Sequence, residues 1–283
     1  MRVGFDVVGN IAILKFDYSM SLAAKKKFAV SYLKKNKSVT TVLEKIGKFS
    51  GRLRTLKTRW LTGFKTKEAL YRENGCEFRF NVDTCYFSPR LSEERKTIAS
   101  FVHRGERVLV MFGGVAPFAI VIGKKIRSFN VSVRPPALKH GAADNKLKNK
   151  FGEIVTVELG REASKYALMN VKRNKLDGIV SVVQGDVRRV IGSGKKVSGV
   201  FDRIVMARPN LDDSFLDVAF RVARRGTIIH YYGFYLVQDV ELLRNLILSE
   251  ALNAGKKVKI LRIVKAGDIG TRKWRFRADI IVQ

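Results

Sequence analysis

The sequence predicts an α/β protein in which a doubly wound, mostly parallel sheet follows a small α+β module. Three observations predict it. From Ser88 onward, strand-like apolar runs alternate with helix-length segments, the rhythm of repeated strand–helix units. Residues 1–84 read differently, with two short strands, one helix and a dense cluster of Lys and Arg. The length, 283 residues at 46% hydrophobic composition, suits one large domain with a full core plus a small one, here 85–283 and 1–84.

In the first part, Val3–Lys15 (VGFDVVGNIAILK) reads as two strands turning at Gly9-Asn10. Ser21–Lys34 reads as a helix whose polar surface comes largely from Lys25, Lys26, Lys27 and Lys34. Lys48, Arg52, Arg54, Lys57 and Arg59 crowd the stretch 48–61, and Phe78–Val82 is strand-like. Ser88-Pro89 reads as a helix start: the hydroxyl can accept free amides, and Pro at the first helical position has no amide to leave unpaired. A buried-type strand (Arg107–Met111), a glycine turn and an apolar helix (Val115–Gly123) follow. Further strands are expected at Ile154–Glu158, Ile179–Gln184, Phe201–Met206, Gly226–Tyr232, Lys257–Val264 and Trp274–Val282, with helices at 161–173, 212–224 and 237–253. One stretch breaks the rhythm. Residues 126–152, basic and carrying Pro135-Pro136, are too long for a helix-to-strand loop and read as an insertion, either a surface excursion or an RNA-contacting element.

Charge narrows the partners. Fifty-five Lys and Arg against 25 Asp and Glu leave a formal net of +30, and a fold this basic repels itself unless a polyanion shares its surface. Nucleic acid is the expected partner, with a basic proteome or an anionic membrane surface as alternatives. The charge is spread along the chain, as on a folded basic face rather than a tail. No run of 18 apolar residues occurs and MRVGFDVVGN is no signal peptide, so a cytoplasmic protein without membrane contact is expected; a monomer is expected as well. Cys76, Cys85 and three His are too few for a disulfide framework or a zinc site; two reduced thiols are expected, a cross-strand disulfide being the alternative.

The turn after the first strand of the second part, Val108 to Phe118, lets backbone approach a ligand at Met111, Phe112, Gly113, Gly114 and Val115. An acid ends the next strand, Glu158 followed by Leu159, and another ends the strand after that, Asp186 followed by Val187. Singly, these are a helix N-terminal charge and a turn residue. Together, on successive strand ends, they suit the ribose hydroxyls and the adenine amino group of a nucleoside cofactor. Gly-x-Gly-x-x-Gly is absent and the turn is too short for a pyrophosphate, so S-adenosylmethionine fits better than a nicotinamide dinucleotide. Arg90 and Glu94, four apart, are expected on one helix face; on their own they read as a surface ion pair.

The segment CYFSPRLSEER and the strand-turn VLVMFGGVAPF resemble the signature of the archaeal and eukaryotic tRNA guanosine-37 N1-methyltransferase family. The similarity runs on through IVTVELGREASKYALMNVKRNKLDGIVSVVQGDV and FDRIVMARP to GTIIHYY, and upstream through FDVVGNIAIL and Arg54-Thr55. It covers nearly all of the chain outside 126–152. It implies a Rossmann-like class I methyltransferase preceded by a small RNA-binding α+β domain. It also implies methyl transfer from S-adenosylmethionine to the guanosine 3′ to the anticodon, with the anticodon stem-loop of tRNA as partner and no metal. By position, Glu94 matches the general base, Arg90 an arginine near it, Arg54 an arginine on the target base, and Tyr86 an aromatic beside the cofactor. Glu158 and Asp186 match the ribose and adenine acids, and Pro209 the proline of an Asn-x-Pro motif on the same site. Tyr86, Phe87 and Tyr232 are candidate receivers of a base swung out of its stack.

This sequence also departs from the family. Val110 stands where an acid is expected, Ala116 where the turn has its second glycine, and Ala207 where Asn-x-Pro has its Asn. The chain is expected to begin at the family's second domain. Those changes keep other readings open: methylation of a carbon of a tricyclic wyosine precursor, aminocarboxypropyl transfer, or RNA binding without catalysis.

Overall fold

In the computed structural model of the chain, residues 3–131, 152–207, 213–270 and 273–283 are described. Gly9 and Asn10 fold β1 (Gly4–Val8) back antiparallel onto β2 (Ile11–Lys15). Gly9 takes φ 58°, and a Cβ there would lie 2.0 Å from the Leu70 carbonyl oxygen, so the turn accepts only glycine. Helix α1 (Leu22–Lys35) then crosses over, leaving β3 (Thr41–Ser50) parallel to β2, and β4 (Thr55–Gly63) pairs antiparallel at the edge. Ser21 caps α1, its hydroxyl accepting the Ala24 amide at 3.3 Å, while Lys34 and Lys35 sit at the carbonyl end, where cations are favoured. Buried Ala12, Leu14, Ala29, Val42 and Leu61 hold helix and sheet together.

The basic stretch 48–61 thus forms most of a hairpin. Its strands were hidden in the sequence because the outer half of β3 is exposed on both faces and shows no apolar alternation. A second hairpin joins β5 (Glu68–Glu73), which was not expected, to β6 (Cys76–Asn81), displaced slightly from the expected Phe78–Val82. Its Asn74-Gly75 turn has φ 48° and 66°, both left-handed, as the preferred two-residue hairpin turn requires.

The seven-stranded sheet is built from β7 (Arg107–Met111), β8 (Glu153–Glu158), β9 (Val180–Gln184), β10 (Phe201–Met206), β11 (Ala223–Leu236), β12 (Val258–Gly270) and β13 (Lys273–Val282). Its order is β12-β13-β11-β10-β7-β8-β9. The five strands from β11 to β9 run parallel, and β13 is antiparallel to both neighbours. β7 and β10 have their expected bounds, and β11 extends well past Tyr232. The order reverses between β7 and β10, where an open α/β sheet leaves a crevice beyond the carboxyl ends of its strands.

Helices α2 (Ser92–Ser100), α3 (Pro117–Val131), α4 (Arg161–Arg173), α5 (Val187–Val190), α6 (Leu216–Arg221) and α7 (Val240–Asn253) connect the strands. α3 outruns the expected Val115–Gly123, so the insertion at 126–152 begins as helix; 132–151 lies outside the described residues. The helix expected at 212–224 is shorter, and the one at 237–253 opens with a 3-10 turn. Ser88 caps nothing with its side chain: Pro89–Leu91 is a 3-10 turn ahead of α2, and the Ser88 carbonyl accepts from Arg95. Asn170 on α4 and Asn174, the residue that caps its C-terminus, act as a surrogate strand for β6, each accepting a backbone amide and donating to a carbonyl, at Arg79 (2.8 and 3.1 Å) and Glu77 (2.9 and 2.7 Å). Phe78, Phe80, Ile98, Val110 and Ile120 share one continuous core with Val8 and Ile11 of the first sheet. Cys76 and Cys85 are buried free thiols, and burial pushes Cys85 up to about 11. No helix among the described residues is long and apolar enough to cross a membrane.

Candidate active site

The crevice holds a cavity of about 420 Å3, within the range of small-molecule sites. The strand-end acids meet there. Glu158, at the tip of β8, accepts the Gly114 amide on Oε2 at 2.8 Å and the Gly160 amide on Oε1 at 2.6 Å. One carboxylate thereby ties the glycine turn to the start of α4. Burial raises the Glu158 pKa, and the amides of Gly160, Gly114 and Leu159 oppose that rise. Asp186 caps α5 by accepting the Arg188 amide at 2.9 Å, and its other oxygen takes Arg52 Nη2 at 3.1 Å. Leu159 and Val187 lie on the same wall.

The glycine turn is strained. Phe112 and Ala116 adopt φ 61° and 67°, left-handed values that cost non-glycine residues roughly 1–2 kcal/mol each. Phe112 and Gly114 line the cavity, but Met111 and Val115 do not: both are fully buried in the two cores flanking the sheet. Gly113 also faces inward, donating its amide to the Val157 carbonyl at 2.9 Å; a Cβ there would strike Thr156 Oγ1 at 2.0 Å. Expected as ligand contacts, these three support the turn from beneath.

The tip of the β3–β4 hairpin closes over this end. Arg52, Leu53 and Arg54 all reach the cavity, and Arg54 lies over the Tyr86 ring at 4.4 Å. Its own φ is 52°, so this contact too rests on strained backbone.

Arg90 and Glu94 do not point from one helix face. Arg90 falls in the 3-10 turn, its side chain is 72% exposed, and its nearest carboxylate is Asp6 at 3.6 Å. The i, i+4 spacing brings side chains together only on a continuous α-helix, which begins at Ser92. Glu94 is 12% exposed and sits behind the cavity wall. Its Oε1 accepts the Tyr232 hydroxyl at 2.7 Å and pairs with the Arg277 guanidinium. Tyr232 is on the wall, and burial beside Glu94 keeps it a phenol.

Behind Glu94 runs a chain of buried polar groups. Arg277 also pairs with Asp279 at 2.8 Å; Asp279 Oδ1 meets His230 Nδ1 at 2.6 Å, and Arg203 Nη1 meets His230 Nε2 at 2.8 Å. A guanidinium only donates, so Nε2 is the acceptor and Nδ1 carries the proton given to Asp279. Burial holds His230 below its ordinary value, consistent with a neutral ring. Burial alone would raise Asp279, but His230, Arg262 and Arg277 hold it well below the usual carboxylate range.

Sequence reasoning missed Arg275 and Arg277, because charged residues in a strand read as solvent-facing. The usable signal was WRFRAD: Arg275, Arg277 and Asp279 alternate with Trp274, Phe276 and Ala278, placing three charges on one face of an interior strand. Register completes the site, since Phe234, Tyr232 and His230 lie opposite Arg275, Arg277 and Asp279. Ala207 is on the cavity wall; Pro209 lies outside the described residues.

Residues 69–152 and 142–261 match the family model of the TRM5/TYW2 methyltransferase domain. The tRNA (guanine(37)-N(1))-methyltransferase Trm5b of Pyrococcus abyssi is 30% identical over 83% of this chain, which spans 61% of that relative's length. The tRNA (guanine(37)-N(1))/4-demethylwyosine(37)-methyltransferase Taw22 of Nanoarchaeum equitans is 30% identical over 98% of this chain and 99% of its own. The crystal structure of the Pyrococcus abyssi Trm5b superposes with a TM-score of 0.78 at 28% identity, covering 99% of this chain and 74% of that one.

Proposed function

The chain belongs to the TRM5/TYW2 methyltransferase family, and from that membership and the cavity we propose that it transfers a methyl group from S-adenosylmethionine to N1 of guanosine 37 of tRNA. The observation that carries the reading is the meeting of Glu158 and Asp186 in one cavity with Tyr232, the hydroxyl partner of Glu94, on its wall.

The donor set fits the cofactor. Glu158 takes the ribose hydroxyls, Asp186 the adenine amino group, Tyr86 and Phe112 flank it, and the turn at Gly114 brings backbone close. When bound, S-adenosylmethionine supplies an electrophilic methyl group. Guanine N1 carries a proton at neutral pH, so its lone pair is unavailable until a base removes that proton. In this reading Glu94 is that base. Its Oε1 accepts the Tyr232 hydroxyl and pairs with Arg277, so the N1 proton can reach it by way of Tyr232 on the cavity wall, the hydroxyl taking that proton as it gives its own to Glu94. Arg54, over the Tyr86 ring and on the cavity lining, would supply positive charge for the negative charge that develops on the base oxygen. Arg90, exposed beside Asp6, is better placed to meet the tRNA than the reacting atoms.

The β3–β4 hairpin suits RNA. Lys48, Arg52, Lys57 and Arg59 are exposed on it beside Phe49 and Trp60, basic and aromatic groups interleaved as single-stranded bases and phosphates require. Residues 1–84 would thus present the anticodon loop to the cavity of 85–283, one protein molecule to one tRNA. Binding is expected to weaken steeply with salt, and a flat log–log salt plot would remove RNA as the target of the +30 charge.

Mass spectrometry of nucleosides from treated tRNA tests the reading. The expected product is 1-methylguanosine; none from any guanosine-37 tRNA would overturn it. A second substrate is favoured by one feature: Ala207 lines the cavity where a larger amide is the family pattern, leaving room for a tricyclic 4-demethylwyosine base. The same assay on tRNA carrying that base separates the two.

The raised pKa of Glu158 sets a pH dependence. Only the ionised carboxylate accepts both ribose hydroxyls, so cofactor affinity is expected to fall as pH drops, starting above the range of an exposed Glu at about 4.3. For the fold the sign is opposite: a raised carboxylate pKa stabilises at acid pH and that contribution is lost as pH rises through it. Calorimetric titration with S-adenosylmethionine across the acidic range checks this, and Glu158→Gln should flatten the curve while weakening binding.

A further inference from the structure

Arg277 has two carboxylate partners and Arg52 has one, yet Arg275 and Arg54 pair with no carboxylate among the described residues. Both line the cavity. Arg275 is 8% exposed, stacks over the Phe234 ring at 5.3 Å and lies beside Tyr86; the Nε of Arg54 is buried with no hydrogen-bond partner. Taking a guanidinium out of water without a counter-charge is costly, so two of them at one end of a cavity mark where a ligand's anionic oxygen belongs. The carboxylates in the same cavity, Glu158 and Asp186, suit hydroxyl and amino donors instead.

Strand geometry says which oxygen. Arg275 and Arg277 are successive same-face positions of β13, roughly 6.6 Å apart along the strand. Arg277 holds Glu94, and Arg275 interacts with Tyr232, the hydroxyl partner of that base; in guanine the carbonyl O6 is adjacent to N1. We propose that Arg275 is a second catalytic arginine, donating with Arg54 to guanine O6 as N1 loses its proton. The inference rests on the functional reading above. The N1 proton passes to Glu94 and its electron pair spreads onto O6. That pair then forms the new N–C bond while the methyl–sulfur bond breaks with its electrons staying on sulfur, so the charge on O6 lasts only through the reaction and is what the two guanidiniums stabilise.

The test compares the wild-type chain, Arg275→Met and Arg275→Lys on guanosine-37 tRNA, by single-turnover rate against pH and by calorimetric affinity for S-adenosylmethionine. Arg275→Met should slow transfer about a hundredfold to a thousandfold with cofactor affinity within about twofold. Its rate–pH profile should move to higher pH, because N1 ionisation is no longer assisted. Arg275→Lys keeps the charge without the fork and should recover part of the loss; it carries the test alone if the Met variant does not fold. An active wild type with variants matching its rate and profile would overturn the role of Arg275. So would a loss of cofactor affinity whose rate defect disappears at saturating S-adenosylmethionine, which would assign Arg275 to the methionine carboxylate instead. A wild type that yields no methylated tRNA would remove the functional reading itself, and this inference with it.

Discussion

Replacing Glu94 with glutamine is expected to slow the proposed methyl transfer by about 10²–10⁴-fold, the usual contribution of a positioned base. Glutamine keeps the shape and can still accept the Tyr232 hydroxyl, but it cannot take a proton. Cofactor affinity should hardly change, because Glu94 lies behind the cavity wall and Glu158 and Asp186 are untouched. The variant should also stay folded, since Arg277 keeps its pairing with Asp279. Single-turnover rates at saturating S-adenosylmethionine isolate the step, and a rate equal to wild type would remove Glu94 as the base.

The largest effect on stability is expected from Arg277→Met. Arg277 is 3% exposed between Glu94 at 12% and Asp279 at 4%, so deleting it strands buried negative charge. Breaking a buried pair of this kind costs about 3–5 kcal/mol. Asp279 keeps Arg262 and His230, which places the loss mainly on Glu94 and toward the lower end of that range. Adding Glu94→Gln to Arg277→Met should therefore cost less than the two single losses summed, a coupling that a double-mutant cycle in chemical denaturation reads directly. Strictly additive losses would show that the two side chains do not depend on each other. The depressed pKa of Asp279 adds a pH signature. A carboxylate held below its ordinary value contributes stability above the usual Asp range and loses it as pH falls through the folded value. The acid limb of the denaturation curve should therefore steepen less in Arg277→Met than in wild type.

Legibility in the sequence followed locality. Glu158 and Asp186 could be found because each ends an apolar strand followed by a helix start, a pattern contained within a dozen residues. The β7, β10 and α4 bounds were readable for the same reason: each strand ends in an unbroken apolar run, Val108–Met111 and Ile204–Met206, and α4 is strongly amphipathic. Arg90 misled because spacing of four implies a shared face only if the helix is continuous, and Pro89 makes its first turn a 3-10 turn. β4 and β5 escaped notice because half-exposed strands rich in Lys, Arg and Glu carry little apolar alternation.

From the amino-acid order alone came the doubly wound sheet, the cavity's acidic end, the basic character and the family. These depend on periodicity, strand-end residues and net charge, all of which act over short stretches or over the whole composition. Tertiary structure alone decided which side chain holds Glu94, that Met111, Gly113 and Val115 support the turn instead of facing a ligand, and that Arg52 reaches across to Asp186. Arg277 is 183 residues from Glu94 and Arg52 is 134 from Asp186. Contacts over such separations exist only once strand register and sheet order are set, because an ion pair acts through a few ångströms of space and leaves no trace in the spacing of residues along a chain.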